Sequence, residues 1–452
     1  MDFMMAFGLA SIMLCLGVFL RARISFLRNM LVPSCVIAGV IGFIFMNALS
    51  MAGVSIGTDA DMYTEIVNHL FTVSFISISL TATPKGADNN AKNTMKGAVG
   101  MGLVWCFLYA LTPIVATGVL MLVGGAFDMN AIYGMLIQFA FCQGPGQAAS
   151  YGTLVESYGW EHAAMVAIAF AAIGFVAAFA VGVPAAKRGI KCGIAKHCGK
   201  LDDIQLRGFM HKAEQTEVMP RDTTCSSNIE TLTFHFAVIG LCYILAVGIA
   251  KLFAMLPGFL GTSMSGMMFM NGMIAAYIVK FAMKKLKIDY LLENTLQSKL
   301  TGWTSDYLVV CAFMAVSVSI ISEWMAPILA VSAVTTVVTY VVCFYFGKRL
   351  GGSNDFERTL GLYGTATGTI PSGISLVRIV DPHFHTSTSV ELGASNIVMM
   401  ASTPVVFIIL AMASGALSLA YTMLALAICA IVYLAALKLT KTWGNKTYDF
   451  KK

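Results

Sequence analysis

The chain has 452 residues, of which 58% are hydrophobic and 12% are charged, and its mean hydropathy is +0.79. Because about a quarter of the residues in soluble domains are charged, this composition excludes a soluble globular domain and indicates a polytopic membrane protein in a lipid bilayer. The formal net charge is +6. The basic residues are spread over short loops and form no patch with interleaved aromatic residues, which argues against a nucleic-acid partner.

Apolar runs in the first half predict five membrane spans, because a helix needs roughly 20 apolar residues to cross a bilayer. The first run follows the acidic Asp2 instead of a basic segment, so we expect it to stay as a span and not to be a cleaved signal peptide. In chain order the five predicted spans lie at 3–20, 30–49, 67–82, 97–122 and 163–183.

The second half repeats this organisation after a hydrophilic stretch at 187–230. Its five predicted spans lie at 232–252, 263–281, 304–321, 325–346 and 393–413. A further apolar run at 417–437 has no counterpart in the first half. The sequence therefore predicts an N-terminal repeat at 1–186, a linker at 187–230, a second repeat at 231–413, and an extra span with a tail at 414–452.

The positive charges predict how the chain is oriented. Cytoplasmic loops carry an excess of Lys and Arg, and with eleven spans all of the 29 basic residues except Lys251 fall on one side. This places the N-terminus outside and the linker and the C-terminus in the cytoplasm. Five spans before a cytoplasmic linker and five after it have opposite orientations, so we expect an inverted repeat.

Two similar polar stretches interrupt the apolar pattern between the fourth and fifth span of each half. Gly144–Glu156 reads GPGQAASYGTLVE and Ala366–Arg378 reads ATGTIPSGISLVR, and four of thirteen aligned positions are identical. Bare backbone in lipid must be sheltered inside protein, and such paired interruptions indicate a transporter binding site. We interpret them as re-entrant hairpins at 131–158 and 355–380, entering from opposite sides with tips that meet. The alternative is two polar loops with a chance resemblance.

The hairpin tips offer groups suited to a small anion and a cation. Glycines allow the backbone to approach a ligand closely, helix N-termini favour anions, and amide, hydroxyl and carbonyl oxygens suit a coupling cation. Arg378 is interpreted either as a carboxylate clamp or as one more cytoplasmic charge. Asn396 lies within the tenth span, and we expect its amide to point into the protein. The candidate binding residues are Gln143, Gly144, Gly146, Gln147, Ser150, Thr365, Thr367, Gly368, Thr369, Ser372, Arg378 and Asn396.

The sequence resembles the bacterial sodium/glutamate symporters over residues 25–410. The matching segments are SFLRNMLVPSCVIAGVIGF, the stretch from Gly134 through GPGQAASYGTLVESYGWEHAAMVAIAFAAIGF, LPGF with FMNGM, and GTATGTIPSG. The resemblance implies two five-span domains of opposite orientation with pore loops, sodium-driven uptake of an amino-acid anion across the bacterial inner membrane, and a homodimer. The first loop departs from the family pattern, since Pro145 stands where the family typically has His and Gln147 where it has Thr.

These observations predict an all-α membrane protein with two inverted five-helix repeats, two re-entrant hairpins and one extra C-terminal helix. The predicted function is secondary active, sodium-coupled uptake of glutamate or a related small carboxylate. The alternative is a proton-coupled or exchange carrier for another organic anion. The sequence has no P-loop, Gly-x-Ser-x-Gly or His-Glu-x-x-His motif, which argues against an enzyme. We expect no cofactor other than Na+ as the coupling ion, held by hairpin carbonyls and hydroxyls.

Overall fold

The computed structural model describes residues 2–29, 32–81, 91–198, 222–225, 227–382 and 385–450. These residues form an all-helical protein without strands, as predicted. Most of the linker predicted at 187–230 lies outside the described residues. Besides a short helix at Ser25–Asn29, the α-helices of the first half are α1 (Asp2–Arg23), α2 (Ser34–Met51), α3 (Ala60–Leu80), α4 (Ala91–Val123), α5 (Ile137–Phe141), α6 (Pro145–Glu156) and α7 (Ala163–Lys191).

Besides a four-residue helix at Val318–Ile321, the described part of the second half contains ten further α-helices. They are α8 (Thr231–Phe253), α9 (Gly258–Gly266), α10 (Met268–Lys285), α11 (Asn294–Met314), α12 (Met325–Gly347), α13 (Asp355–Thr367), α14 (Ile370–Val380), α15 (Thr388–Met399), α16 (Thr403–Ala413) and α17 (Leu419–Leu439). Within each predicted hairpin range the chain forms two helices separated by a short break. We call α5–α6, with the 3-10 helix Ala131–Leu136, hairpin 1, and α13–α14 hairpin 2.

By length and composition, eight helical segments of the described residues can cross a membrane, or nine if the bent pair α9–α10 is one span. This confirms a multi-pass membrane protein. Two of the predicted spans correspond to α3 and α11, which are long helices but are not among the eight. Asp61 and Glu65 on α3 and Gln297 on α11 help to explain why these two helices are less apolar. The count of eleven spans stays a prediction.

The helices pack into two groups, each with a contiguous set of contacts. The flanking group consists of α1–α3 and α8–α11, with α3 and α11 packed side by side at its centre. The hairpin group consists of both hairpins with α4, α7, α12, α15, α16 and α17. Hairpin 1 joins the groups, since α6 packs against α3 and α11 as well as α7.

Corresponding helices of the two predicted repeats make similar contacts. The pair α1–α2 matches the pair α8–α10, and the contact of α2 with α11 matches that of α10 with α3. The helices before the hairpins, α4 and α12, also pack against each other. This pattern is the one that a two-fold relation between the halves would produce.

Candidate functional site

The tips of the two hairpins lie against each other in the hairpin group. A Cβ added to Gly144 would lie 2.5 Å from Thr369 Cγ2 and 3.2 Å from the Gly368 carbonyl oxygen. Helix α7 passes beside both hairpins, because a Cβ added to Gly174 would lie 2.6 Å from the Thr367 carbonyl oxygen and 3.4 Å from the Phe141 ring. The two stretches that resemble each other in sequence therefore meet in space.

Two helix N-termini converge at this contact. Helix α6 begins at Pro145 and α14 begins at Ile370, each directly after a tip. Proline at or near the first helical position is favourable there, because its missing N–H would have no partner within the helix. Free N–H groups at these helix starts carry partial positive charge and suit an anion.

The last carbonyl groups of α13 have the opposite character. In the described structure, no backbone hydrogen bond from Gly368 or the residues after it caps the end of this helix. The last four carbonyl groups of a helix have no partner within it, so those of α13 remain available as oxygen ligands. The contact thus combines N–H groups for an anion with carbonyl oxygens for a cation.

The polar side chains of hairpin 1 differ in their partners. Gln143 Oε1 accepts a hydrogen bond from the Tyr109 hydroxyl at 3.0 Å, and the Ser150 hydroxyl donates to Asn68 Oδ1 at 2.9 Å. Gln147 is 8% exposed, and its Oε1 atom has no hydrogen-bond partner. Because Gln147 lies in the first turn of α6, directly after the tip, its oxygen is a candidate ligand; Gln138, before the tip, is also buried with both amide atoms unpartnered.

Gly146 packs against a helix of the flanking group. A Cβ added at this position would overlap the ring of Phe71 on α3. Gly146 therefore lets hairpin 1 pack closely against the flanking group, and this contact is enough to require glycine without a bound ligand.

The polar side chains of hairpin 2 are mostly bonded within the hairpin. The Thr365 hydroxyl donates to the Gly361 carbonyl and the Thr367 hydroxyl to the Tyr363 carbonyl, both at 2.8 Å. At the tip, the hydroxyls of Thr369 and Ser372 lie 3.5 Å apart, and a Cβ at Gly368 would lie 2.9 Å from Ser372 Oγ. A hydroxyl that donates to a carbonyl keeps its oxygen lone pairs for a cation, so these groups remain candidates.

Arg378 and Asn396 are not brought to the tips by the described contacts. Arg378 lies near the end of α14, on an exposed face. The side chain of Asn396 on α15 is also exposed, so the expectation that its amide points into the protein is wrong. An apolar run does not show which face of a helix is covered, and α15 turns Leu392 and Ser395 inward instead.

Sequence reasoning missed a buried ionic network at the base of hairpin 2. Arg358 donates from Nε and Nη2 to the two carboxylate oxygens of Glu391 on α15, at 2.6 and 2.7 Å. Its Nη1 also donates to Asp355 Oδ1 at 3.0 Å. A Cβ on Gly97 of α4 would lie 2.5 Å from both Arg358 and Glu391, so this pair joins α4, α13 and α15. The available signal was Glu391, an acidic residue directly before the tenth predicted span.

A further carboxylate, that of Asp381, stabilises the turn after hairpin 2. Asp381 accepts hydrogen bonds from the backbone N–H groups of His385 and Thr386 and from the Thr386 hydroxyl, each at 2.8 Å. Burial alone would raise the pKa of Asp381, but these bonds lower it below its usual range. Asp381 is thus held as a carboxylate that ties α14 to the start of α15.

Comparisons with known proteins point to one family. The family described as Sodium/glutamate symporter matches residues 1–386. The Sodium/glutamate symporter of Escherichia coli is 24% identical over 386 residues, covering 83% of this chain and 88% of that protein. The one from Haemophilus influenzae is 27% identical over 296 residues, covering 63% of this chain and 67% of that protein. No solved structure matches the chain significantly.

Proposed function

The chain belongs to the sodium/glutamate symporter family, and we propose that it takes up glutamate or a related small carboxylate together with sodium by alternating access. The observation that carries this proposal is the contact between the two hairpin tips, at Gly144 and Gly368–Thr369. Broken helices that meet in this way supply N–H groups for a carboxylate and carbonyl oxygens for a cation. As a member of a symporter family, the protein is a transporter and not an enzyme.

The proposed carboxylate site is built on the N-termini of α6 and α14. These helices have 12 and 11 residues, long enough for their first-turn N–H groups to attract an anion. Gly144 and Gly368 at the tips permit close approach of the backbone. Ser372 lies in the first turn of α14 and adds a hydroxyl beside this site.

The proposed sodium ligands are oxygens on the same tips. They include the uncapped carbonyl groups at the end of α13 and the unpartnered Gln147 Oε1 atom. Gln147 also distinguishes this chain from the family pattern, in which Thr is typical at this position. An amide oxygen reaches further from the backbone than a hydroxyl, so Gln147 is the position at which the family site and this site would differ most.

The described helices support a multi-pass membrane protein. The further proposal is a homodimer in the bacterial inner membrane with its N-terminus outside and its C-terminus in the cytoplasm. The charge count supports this orientation, because 28 of the 29 Lys and Arg residues fall on the proposed cytoplasmic side. The matching contacts of α2 with α11 and α10 with α3 support the inverted repeat.

Titration calorimetry on the purified protein tests the coupling. A cation and a carboxylate about 4 Å apart attract each other by roughly 4 kcal/mol at an effective dielectric constant of 20. Glutamate should therefore bind more tightly in sodium than in potassium, and sodium should bind more tightly in the presence of glutamate by the same factor. Gln147→Leu should weaken sodium binding, and Gln138→Leu, at the other buried amide of hairpin 1 whose oxygen has no hydrogen-bond partner, shows whether the effect is particular to Gln147.

Uptake into proteoliposomes completes the test with separate sodium and proton gradients. Accumulation of glutamate driven by sodium alone is the expected result. Glutamate affinity that does not depend on sodium, together with glutamate uptake driven by a proton gradient, would contradict the sodium symporter and favour a proton-coupled carrier.

A further inference from the structure

The C-terminal tail, residues 440–450, folds back onto the base of hairpin 2. It follows the extra helix α17 and lies beyond residue 386, where the match to the family ends. Its backbone bonds to the segment between α12 and α13, since the Gly444 N–H donates to the Arg349 carbonyl at 2.7 Å and the Thr447 N–H to the Lys348 carbonyl at 2.8 Å. The tail is thus an ordered part of the hairpin group, held to it by backbone hydrogen bonds.

Two tail hydroxyls reach helix α13 directly. The Thr447 hydroxyl shares its single proton between Asp355 Oδ2 at 2.8 Å and the Lys348 carbonyl oxygen at 2.9 Å, and the Tyr448 hydroxyl donates to Thr359 Oγ1 at 2.7 Å. Asp355 and Thr359 are one helical turn apart at the start of α13. The tail therefore holds the first turn of hairpin 2 at two neighbouring points on one face.

Asp355 connects this contact to the buried ionic network. Besides Thr447, it accepts hydrogen bonds from the Gly351 and Gly352 N–H groups and from Arg358 Nη1. The side chain of Asp355 is 1% exposed. A buried carboxylate that loses a donor has no water to replace it, so removing the tail hydroxyl leaves Asp355 Oδ2 with only the Gly351 N–H among its described donors.

Aromatic packing covers the same region. The Tyr448 ring lies 5.3 Å from Phe356 of α13, centroid to centroid, and the Phe450 ring lies 5.9 Å from Phe356 and 6.1 Å from Phe344 of α12. The Arg188 guanidinium of α7 lies 5.3 Å from the Phe450 ring centroid. The tail thus connects α7, α12 and α13 around the base of hairpin 2.

We propose that Thr447 and Tyr448 are positioning residues that hold the base of hairpin 2, so that its tip stays against Gly144. Helix α13 is a single rigid element between Asp355 and the tip at Gly368, so a tilt at its first turn displaces the tip. The consequence for transport rests on the proposed function, whereas the positioning itself does not.

Hydrogen exchange of the purified full-length protein, followed by mass spectrometry, tests the positioning. Thr447→Val and Tyr448→Phe should each speed exchange of the amides at 355–362 by about tenfold, the effect of losing one buried hydrogen bond. Exchange in hairpin 1 should not change. Thr447→Ser keeps the hydroxyl and should behave as wild type, as should Lys446→Ala, whose side chain lies in the same tail and pairs with Asp449.

Sodium-driven glutamate uptake by the same variants provides a separate readout. Thr447→Val should raise the KM about tenfold with a smaller change in kcat, because the tip is displaced while the rest of the transporter is intact. If the chain does not transport glutamate, the exchange experiment still decides the positioning. Unchanged exchange at 355–362 in both variants, or an equal increase in hairpin 1, would overturn the proposal.

Discussion

Gly144→Ala should weaken substrate and sodium binding more than any other single methyl addition at the tips. Gly144 has φ of 81° and ψ of −176°, a region that is essentially restricted to glycine and costs other residues of order 1–3 kcal/mol. If the strain destabilises the conformation that binds ligand, the affinity for substrate and sodium drops about 5- to 150-fold. The added Cβ would also lie 2.5 Å from Thr369 Cγ2, so the upper part of this range is expected.

A second substitution separates the two causes. Thr369→Ser removes the Cγ2 methyl and keeps the hydroxyl, so the double variant with Gly144→Ala should regain the part of the affinity that is lost to the clash. Gly415→Ala is the matched control, because Gly415 also has a positive φ, of 80°, but an added Cβ would have no neighbour within 4 Å. It should cost stability without changing affinity.

Calorimetry of glutamate and sodium binding measures these effects, and melting temperatures of the purified variants report stability. Wild-type affinity in Gly144→Ala would refute the reasoning, since it would show that neither the backbone conformation nor the contact of the tips matters for binding. An equal loss of affinity in Gly415→Ala would show that the effect is general destabilisation.

Three further predictions concern the contacts that hold the hairpins. Gly146→Ala should slow uptake at least tenfold through its clash with Phe71, and Phe71→Ala in the same chain should restore part of the rate; no recovery would argue for direct ligand contact at Gly146. Asn68→Ala removes two hydrogen bonds to hairpin 1, about 1–3 kcal/mol together, and should change kcat more than KM; a pure KM effect would contradict this. Glu391→Gln should destabilise the protein by about 3–5 kcal/mol, because it leaves the buried Arg358 charge without its main partner; Arg358→Lys should destabilise it less, because Lys keeps the charge and loses the paired hydrogen bonds, and unchanged melting temperatures in both would exclude this role.

The sequence predicted where the chain is interrupted and which two interruptions belong together. The reason is physical, because Gly and Pro in an apolar segment break a helix locally. Ser150 and Ser372 occupy the same position within the two matching motifs, which indicates that both halves contain the same kind of helix break. The break at Gly144 and its contact with Thr369 follow this reading.

The partners of individual side chains could not be predicted in this way. Ser150 was a candidate ligand, but its hydroxyl donates a hydrogen bond to Asn68 on α3. The two residues are 82 positions apart in the sequence. Arg358 was counted as a cytoplasmic charge, and it proved to be paired with Glu391 inside the protein. Such pairings depend on how helices pack, and neither periodicity nor charge counting contains that information.

The two hairpins are held by different parts of the molecule, and this difference has a consequence for transport. Hairpin 1 bonds to the flanking group through Asn68 on α3, whereas α13 of hairpin 2 bonds to the tail at Thr447 and Tyr448, inside the hairpin group. Any movement between the two groups must break or stretch the Asn68 contacts, because they cross the boundary. The tail contacts lie on one side of that boundary and can persist through the movement. Variants at Asn68 should therefore act on the rate of the conformational step, while variants in the tail should act on the geometry of the binding site in every conformation.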